Sequence, residues 1–190
     1  MRSARWIAAT TAGFILGGAA LHSPGASGVG GAFLNWDVSA TIFGAILGAI
    51  VGAITGLLQN IALGHRDLRV FVGMVVTVTV AHALADGAPA MWGVPAVAAL
   101  SGLGAAAANA WAMRFWDVRS LAAALVAWWA GWTGGVALAG ALGLSFGSTA
   151  QMWATEHIVI AAVLGLAFGS ATSPAMRRIL RSERALSSAG

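Results

Sequence analysis

The sequence contains no cysteine, no lysine and no tyrosine. The missing cysteine excludes disulfides, thiolate metal sites and a cysteine nucleophile. The missing lysine excludes a Schiff base of the rhodopsin or pyridoxal kind, and the missing tyrosine removes one class of proton donor. These absences exclude several common catalytic centres before any motif is considered.

Charge is also scarce, since charged residues make up 8% of the 190 residues and hydrophobic residues make up 59%. An ordinary soluble domain carries about 25% charged residues, so this chain has too few to cover a water-facing surface of normal polarity. Apolar runs of about 20 residues recur along the chain, which is typical of membrane-spanning helices. The composition therefore indicates a polytopic membrane protein and makes a soluble helical bundle a poor alternative.

Six apolar stretches predict an all-α fold of six transmembrane helices, because they are continuous and do not alternate as barrel strands do. They run over 6–22, 38–63, 68–86, 91–113, 118–142 and 156–173. We expect one transmembrane domain over 1–173 and a short basic cytoplasmic tail over 174–190. The first stretch also has the basic start and small residues of a signal peptide, and we treat it as a retained span.

The basic residues, all arginine, predict the topology. With six crossings they all fall on one side of the membrane: Arg2, Arg5, Arg66, Arg69, Arg114, Arg119, Arg177, Arg178, Arg181 and Arg184. The positive-inside rule places that side, with both termini, in the cytoplasm. We therefore expect the protein in the inner (plasma) membrane of the cell. The arginines form no continuous basic face, which argues against a nucleic-acid partner despite the net charge of +4.

Four glycines, the glycine ladder, recur at four-residue spacing within the second span: Gly44, Gly48, Gly52 and Gly56. A helix returns every fourth residue to nearly the same face, so the ladder predicts a groove for close helix packing. Weaker ladders occupy the other even-numbered spans: Ala98, Gly102, Ala106 and Ala110, then Ala161, Gly165, Gly169 and Ser173. The pattern predicts three parallel helical hairpins with the even helices packed inward. Chance matches in a chain rich in Ala and Gly are the alternative.

Ionisable residues gather on the side opposite the arginines: His22, Asp37, His82, Asp86, Glu156 and His157. His82 and Asp86 are one turn apart and share a helix face. Such a cluster could hold a metal ion, bind a ligand or relay a proton. No HxxxH or HExxH motif is present, so interfacial solvation and helix capping remain the alternative. Nothing indicates a particular cofactor.

Polar residues also stand near the arginine side, where Gln59, Asn60 and Asn109 lie close to the ends of even spans. Interhelical hydrogen bonds are their expected role, and the lining of a polar vestibule is the alternative. Trp36, Trp92 and Trp153 lie at or just before the start of even spans, where Trp is expected as an interfacial anchor.

The sequence shows no nucleophile elbow, Walker loop or dinucleotide fingerprint, so we do not expect an enzyme. One functional interpretation is a non-catalytic membrane protein that packs into a larger complex or a homo-oligomer within the lipid bilayer. The other is a transporter or channel subunit that needs a partner or an ion gradient for energy. In size and span number the chain resembles the substrate-binding subunits of energy-coupling-factor vitamin transporters, with none of their motifs.

Overall fold

The protein is all-helical in a computed structural model, which describes residues 3–20, 36–64, 68–113, 118–141 and 150–187. Six helices follow in order: α1 Ser3–Ala20, α2 Val38–Leu63, α3 Leu68–Gly87, α4 Gly93–Met113, α5 Val118–Ala141 and α6 Ala150–Ser187. A single 3₁₀ turn, Ala90–Trp92, leads into α4. The predicted all-α fold with six helices is confirmed, and the first five helices follow the predicted stretches closely.

The sixth helix is longer than its predicted span, because it continues through Pro174 to Ser187. Proline removes one backbone hydrogen bond from a helix. The residues after it include Ala175, Met176 and Arg177, which are strong helix formers. At 1.5 Å per residue the helix is about 57 Å long, against about 30 Å for the hydrocarbon core of a bilayer.

The six helices form a closed ring. Each helix packs against its neighbours in the chain, and α6 completes the ring by packing against α1. Neighbouring helices are antiparallel: Gly44 lies against Asp86, whereas Gly56 lies against Phe71. The starts of α1, α3 and α5 therefore lie at one end of the ring with the ends of α2 and α4. We call this the basic end, because it carries Arg5, Arg69 and Arg119.

The centre of the ring is filled by large side chains. Trp128, Phe14 and Phe168 are at most 2% exposed and meet with ring centroids 5.5, 6.0 and 6.3 Å apart. Around this aromatic core pack smaller residues from the other helices: Val51, Met74, Val78, Ala81, Ala105 and Ala106. The aromatic core thus involves α1, α5 and α6 and is closed off by α2, α3 and α4.

The expectation that the even helices form an inner layer is wrong. Among the described residues, no two even helices are neighbours in the ring. Their small faces point sideways onto an adjacent odd helix instead, as Gly52 does onto Met74 of α3 and Gly165 onto Thr11 of α1. Glycine permits this backbone contact, and the larger side chains then fill the middle.

The outer surface of the ring is apolar. An exposed row of aliphatic side chains, the α2 stripe, lies opposite the glycine ladder: Ile42, Ile46, Ile50, Leu57 and Ile61. Exposed apolar residues also occur on the other helices: Leu16, Val72, Leu103, Val126, Trp129, Leu138 and Leu166. Among the described helices, α2 and α3 are long and apolar enough to cross a bilayer.

Both ends of α2 are defined by specific caps. The carboxylate of Asp37 accepts a hydrogen bond from the backbone N–H of Ala40 at 2.9 Å, which confirms the predicted capping role of Asp37. At the other end Gly64 adopts φ 75°, a left-handed conformation that glycine takes without strain. The backbone N–H of Asp37 also donates to the carbonyl of Gly87 at 3.0 Å, which joins the start of α2 to the end of α3.

Candidate functional site

The glycine ladder lies directly on the backbone of α3. A Cβ added at Gly48 would lie 2.5 Å from the carbonyl oxygen of Val78, and one at Gly52 would lie 2.7 Å from that of Met74. Real Cβ atoms do not approach other atoms this closely. Gly56 has slightly more room, with Phe71 Cα at 3.1 Å. The α2–α3 contact is therefore a backbone contact that side chains would prevent.

The other glycines named from the sequence also face neighbouring helices. A Cβ at Gly165 would lie 2.9 Å from Thr11 Cα, and one at Gly169 would lie 3.1 Å from Thr10 Cβ. At Gly102 the nearest atoms belong to Leu125, with Cδ1 at 3.1 Å and the carbonyl oxygen at 3.2 Å. These contacts are tight, but less so than those of Gly48.

The ionisable cluster named from the sequence is described only in part. His82 and Asp86 lie one turn apart on α3, where both border Gly44 of α2. His22 and the side chains of Glu156 and His157 lie outside the described part of the protein. Within the described residues, no three His, Asp or Glu side chains come together as a metal site would require.

A polar cluster lies inside the ring near the basic end. The indole N–H of Trp6 donates to Thr172 Oγ1 at 3.0 Å, which joins α1 to α6. The Gln59 amide Nε2 donates to Thr10 Oγ1 at 2.8 Å, which joins α1 to α2. Both hydroxyls donate in turn to the carbonyl four residues earlier on their own helix, Thr10 to Trp6 and Thr172 to Phe168. Each threonine therefore accepts from another helix while its proton is bound within its own.

The same cluster extends to the opposite side of the ring. Asn109 on α4 donates from Nδ2 to Thr77 Oγ1 on α3 at 3.3 Å. Gln59 and Asn109 thus have the interhelical role predicted for them. A hydrogen bond between protein groups contributes about 0.5–1.5 kcal/mol net, so the cluster orients the helices more than it stabilises them.

Sequence reasoning did not single out Trp6, Thr10, Thr77 or Thr172, although all four are buried. The hydroxyl of a threonine in an apolar helix commonly donates a hydrogen bond to the carbonyl of the preceding turn. Whether the same oxygen also accepts from another helix depends on which donor that helix brings near it. The available signals are Gln59 and Asn109, because a buried amide requires a partner within reach. These signals do not identify the threonine partners.

We expect Thr172→Val to lower the free energy of unfolding by about 1–2 kcal/mol, because the buried indole N–H of Trp6 loses its acceptor. Thr79→Val is the matched control, since the Thr79 hydroxyl is buried without a protein partner in the described structure. Removing that hydroxyl should leave stability unchanged or raise it. Denaturant unfolding in detergent micelles measures both, and equal losses would contradict the role of Thr172.

Two exposed tryptophans lie at the end of the ring opposite the basic end. Trp36 and Trp92 are 39% and 45% exposed, and their rings meet edge to face with centroids 6.5 Å apart. The Trp36 indole donates to Thr41 Oγ1 at 2.8 Å. The predicted third anchor, Trp153, lies on α6, and its side chain is outside the described part.

The described part of the candidate site is suited to holding helices together. Its donors and acceptors are amides, hydroxyls and an indole, and its closest contacts are between backbones. Compared with known proteins, the chain matches no protein family, no curated protein and no solved structure.

Proposed function

We propose that the chain is an integral membrane protein whose six helices all cross the bilayer. The reversed distribution of polarity supports this. Large aliphatic residues such as Ile46, Leu57 and Ile61 are more than half exposed, whereas Gln59, Thr55 and Thr77 are fully buried. Soluble proteins expose scattered apolar residues, but they do not cover a whole ring of helices with them.

The basic end is the cytoplasmic end in this proposal. Antiparallel packing around the ring gathers the arginine-bearing helix starts, Arg5, Arg69 and Arg119, at one end. Exposed tryptophans lie near both ends, with Trp36 and Trp92 at the opposite end and Trp111 close to the basic end. An arginine-rich side marks the cytoplasmic side of a membrane protein, and tryptophans at both ends are typical of its two interfaces.

The missing cysteine makes this topology directly testable, because single cysteines can be added without removing any native one. We expect Met91→Cys, at an exposed position, to react with an impermeant maleimide in intact cells. Ser3→Cys should react only after permeabilisation, and Ile50→Cys should react in neither case because lipid covers it. Labelling of Ser3→Cys in intact cells would contradict the orientation.

We propose that the three hairpins α1–α2, α3–α4 and α5–α6 are related units. In each, the small residues of the even helix contact the odd helix that follows around the ring: Gly52 meets α3, Gly102 meets α5 and Gly165 meets α1. The units would be related by an axis along the membrane normal, since all three enter from the same end.

The function supported best is that of a non-catalytic packing subunit of a larger membrane assembly or homo-oligomer. The observation that carries this proposal is the filled centre of the ring, where the buried side chains of Trp128, Phe14 and Phe168 pack against one another. In this function the protein acts mainly through its apolar outer surface. The α2 stripe is an exposed apolar row on that surface.

Extraction from the native membrane into nanodiscs, followed by mass spectrometry, tests this function. We expect fixed stoichiometric association with other membrane subunits or with further copies. Replacing Ile46 and Ile50 of the α2 stripe by serine should weaken that association, while the same change at Leu103 on α4 serves as the control. A monomer that retains a bound small molecule would contradict the proposal.

A transporter or channel subunit is the second candidate. The buried polar cluster at the basic end favours it, because Gln59, Asn109 and Thr77 place polar groups within the ring. Reconstituted protein should then move solutes across vesicles. In the packing function, vesicles containing the protein should be no leakier than empty ones.

A further inference from the structure

A small cavity lies within the ring near the basic end, on the inner side of the polar cluster. Its volume is about 10 Å³, and every helix except α5 contributes to its lining. Among the lining residues are the amides of Gln59 and Asn109 and the thioethers of Met74 and Met176. Gln59 is 0% exposed and both methionines are 3% exposed, so these lining residues are buried.

The amide of Gln59 has a fixed orientation. The Thr10 hydroxyl has a single proton, which it donates to the carbonyl of Trp6 at 2.8 Å. Thr10 Oγ1 can therefore only accept from Gln59, so the nitrogen end of the amide faces Thr10. The oxygen end, Oε1, is buried and accepts from no protein donor in the described structure. A buried acceptor of this kind costs about 1–3 kcal/mol when it has no donor.

The size and charge of the cavity determine what can serve as the donor. A volume of about 10 Å³ matches the space that one water molecule requires. No acidic or basic side chain is among the lining residues, so a cation bound there would lack a counter-charge. The donor is therefore small and neutral.

We propose that the cavity binds one water molecule, which donates a hydrogen bond to Gln59 Oε1 and pairs with the amide of Asn109. The water links α2 to α4, two helices that do not pack against each other in the described part of the ring. The water completes the polar cluster and connects the two helices that flank α3 at the basic end of the ring.

Radiolytic footprinting in ¹⁸O-water tests this proposal on the full-length protein in nanodiscs. Millisecond X-ray pulses generate hydroxyl radicals from bound water, and these oxidise adjacent side chains. We expect ¹⁸O label on the buried Met74 and Met176, as on the 56% exposed Met91. A radical scavenger in the bulk solvent should suppress label on Met91 and spare Met74. Phe14, equally buried but away from the cavity, should remain unlabelled.

Gln59→Met is the decisive variant, because it keeps a long side chain and removes the acceptor. We expect label on Met74 to fall severalfold, because the loss of one buried hydrogen bond lowers the binding constant of the water by up to about tenfold. Asn109→Leu should have the same effect and serves if Gln59→Met does not fold. Wild-type protein without label on Met74, or folded Gln59→Met with unchanged label, would overturn the proposal.

Discussion

Gly52→Leu is expected to prevent the native packing of α2 against α3. The added side chain would begin with a Cβ only 2.7 Å from the Met74 carbonyl oxygen and 2.7 Å from Val75 Cα. Both atoms belong to the backbone of α3, so no rotamer change relieves the overlap. The helices must separate, which disrupts the contacts of Gly48 and Gly56 as well. Gly48→Leu should be equally severe, because its Cβ would lie 2.5 Å from the carbonyl of Val78.

Smaller substitutions provide a graded test of the same contact. Gly52→Ala should cost about 1–3 kcal/mol, the usual range for overpacking a well-packed interior. Gly134→Ala is the matched control, since a Cβ there meets only Val163 Cγ1 at an ordinary 3.6 Å. Alanine favours helix over glycine by about 1 kcal/mol, so this control should be neutral or stabilising. Gly102→Leu should also be severely destabilising, whereas Ala106→Leu should lower stability less.

Thermal unfolding and size-exclusion profiles in detergent micelles distinguish these outcomes. We expect Gly52→Leu to be aggregated or unfolded, Gly52→Ala to be folded with a lowered Tm, and Gly134→Ala to match the wild type. A Gly52→Leu protein with wild-type Tm and assembly would mean that the glycine ladder faces lipid, contrary to the packing on α3.

The helices themselves could be predicted because each is a continuous apolar run bounded by residues that interrupt it. Asp37, for example, precedes the apolar run of α2 in sequence and caps the start of that helix in the structure. The end of α6 could not be predicted in the same way. Pro174 normally indicates a helix end, but the strong helix formers after it continue the helix to Ser187.

The arrangement of the helices was harder to predict than their positions. Four-residue spacing identifies the small face of α2 but not the helix that it meets, so an inward face and a sideways face were equally compatible with Gly44 and Gly48. The sequence also does not show which side chains of one helix are buried. Trp128 and Trp129 are adjacent in sequence, yet one is 0% and the other 43% exposed. Only the packing of α5 against α4 and α6 decides which of them enters the aromatic core.

The candidate site was predictable to the extent that it depends on strongly polar side chains. Gln59 and Asn109 are conspicuous in an apolar helix, and their interhelical hydrogen bonds follow from the cost of burying an amide. Their partners, Thr10 and Thr77, are not conspicuous. The pairing depends on antiparallel register between helices, which no local pattern specifies.

Trp128→Ala should be the most destabilising truncation in the aromatic core. The indole is fully buried and meets both Phe14 and Phe168 edge to face or nearly so, at 6.0 and 5.5 Å between ring centroids. Removing a buried aromatic side chain costs about 3–5 kcal/mol, because the transfer free energy is lost and a cavity remains. For a chain of this size that corresponds to a fall in Tm of roughly 10 °C.

Trp129→Ala is the matched control, since it removes the same side chain from the next residue of α5, where the ring is 43% exposed. We expect a change within about 0.5–1 kcal/mol there, as for surface substitutions generally. Trp128→Phe separates ring packing from the indole N–H, which is buried without a protein partner in the described structure. Keeping an aromatic ring while removing an unpaired donor should recover most of the lost stability.

If Trp128→Ala and Trp129→Ala have equal effects on Tm, the aromatic core does not hold the ring closed. The argument that a filled centre favours packing over transport would then lose its support.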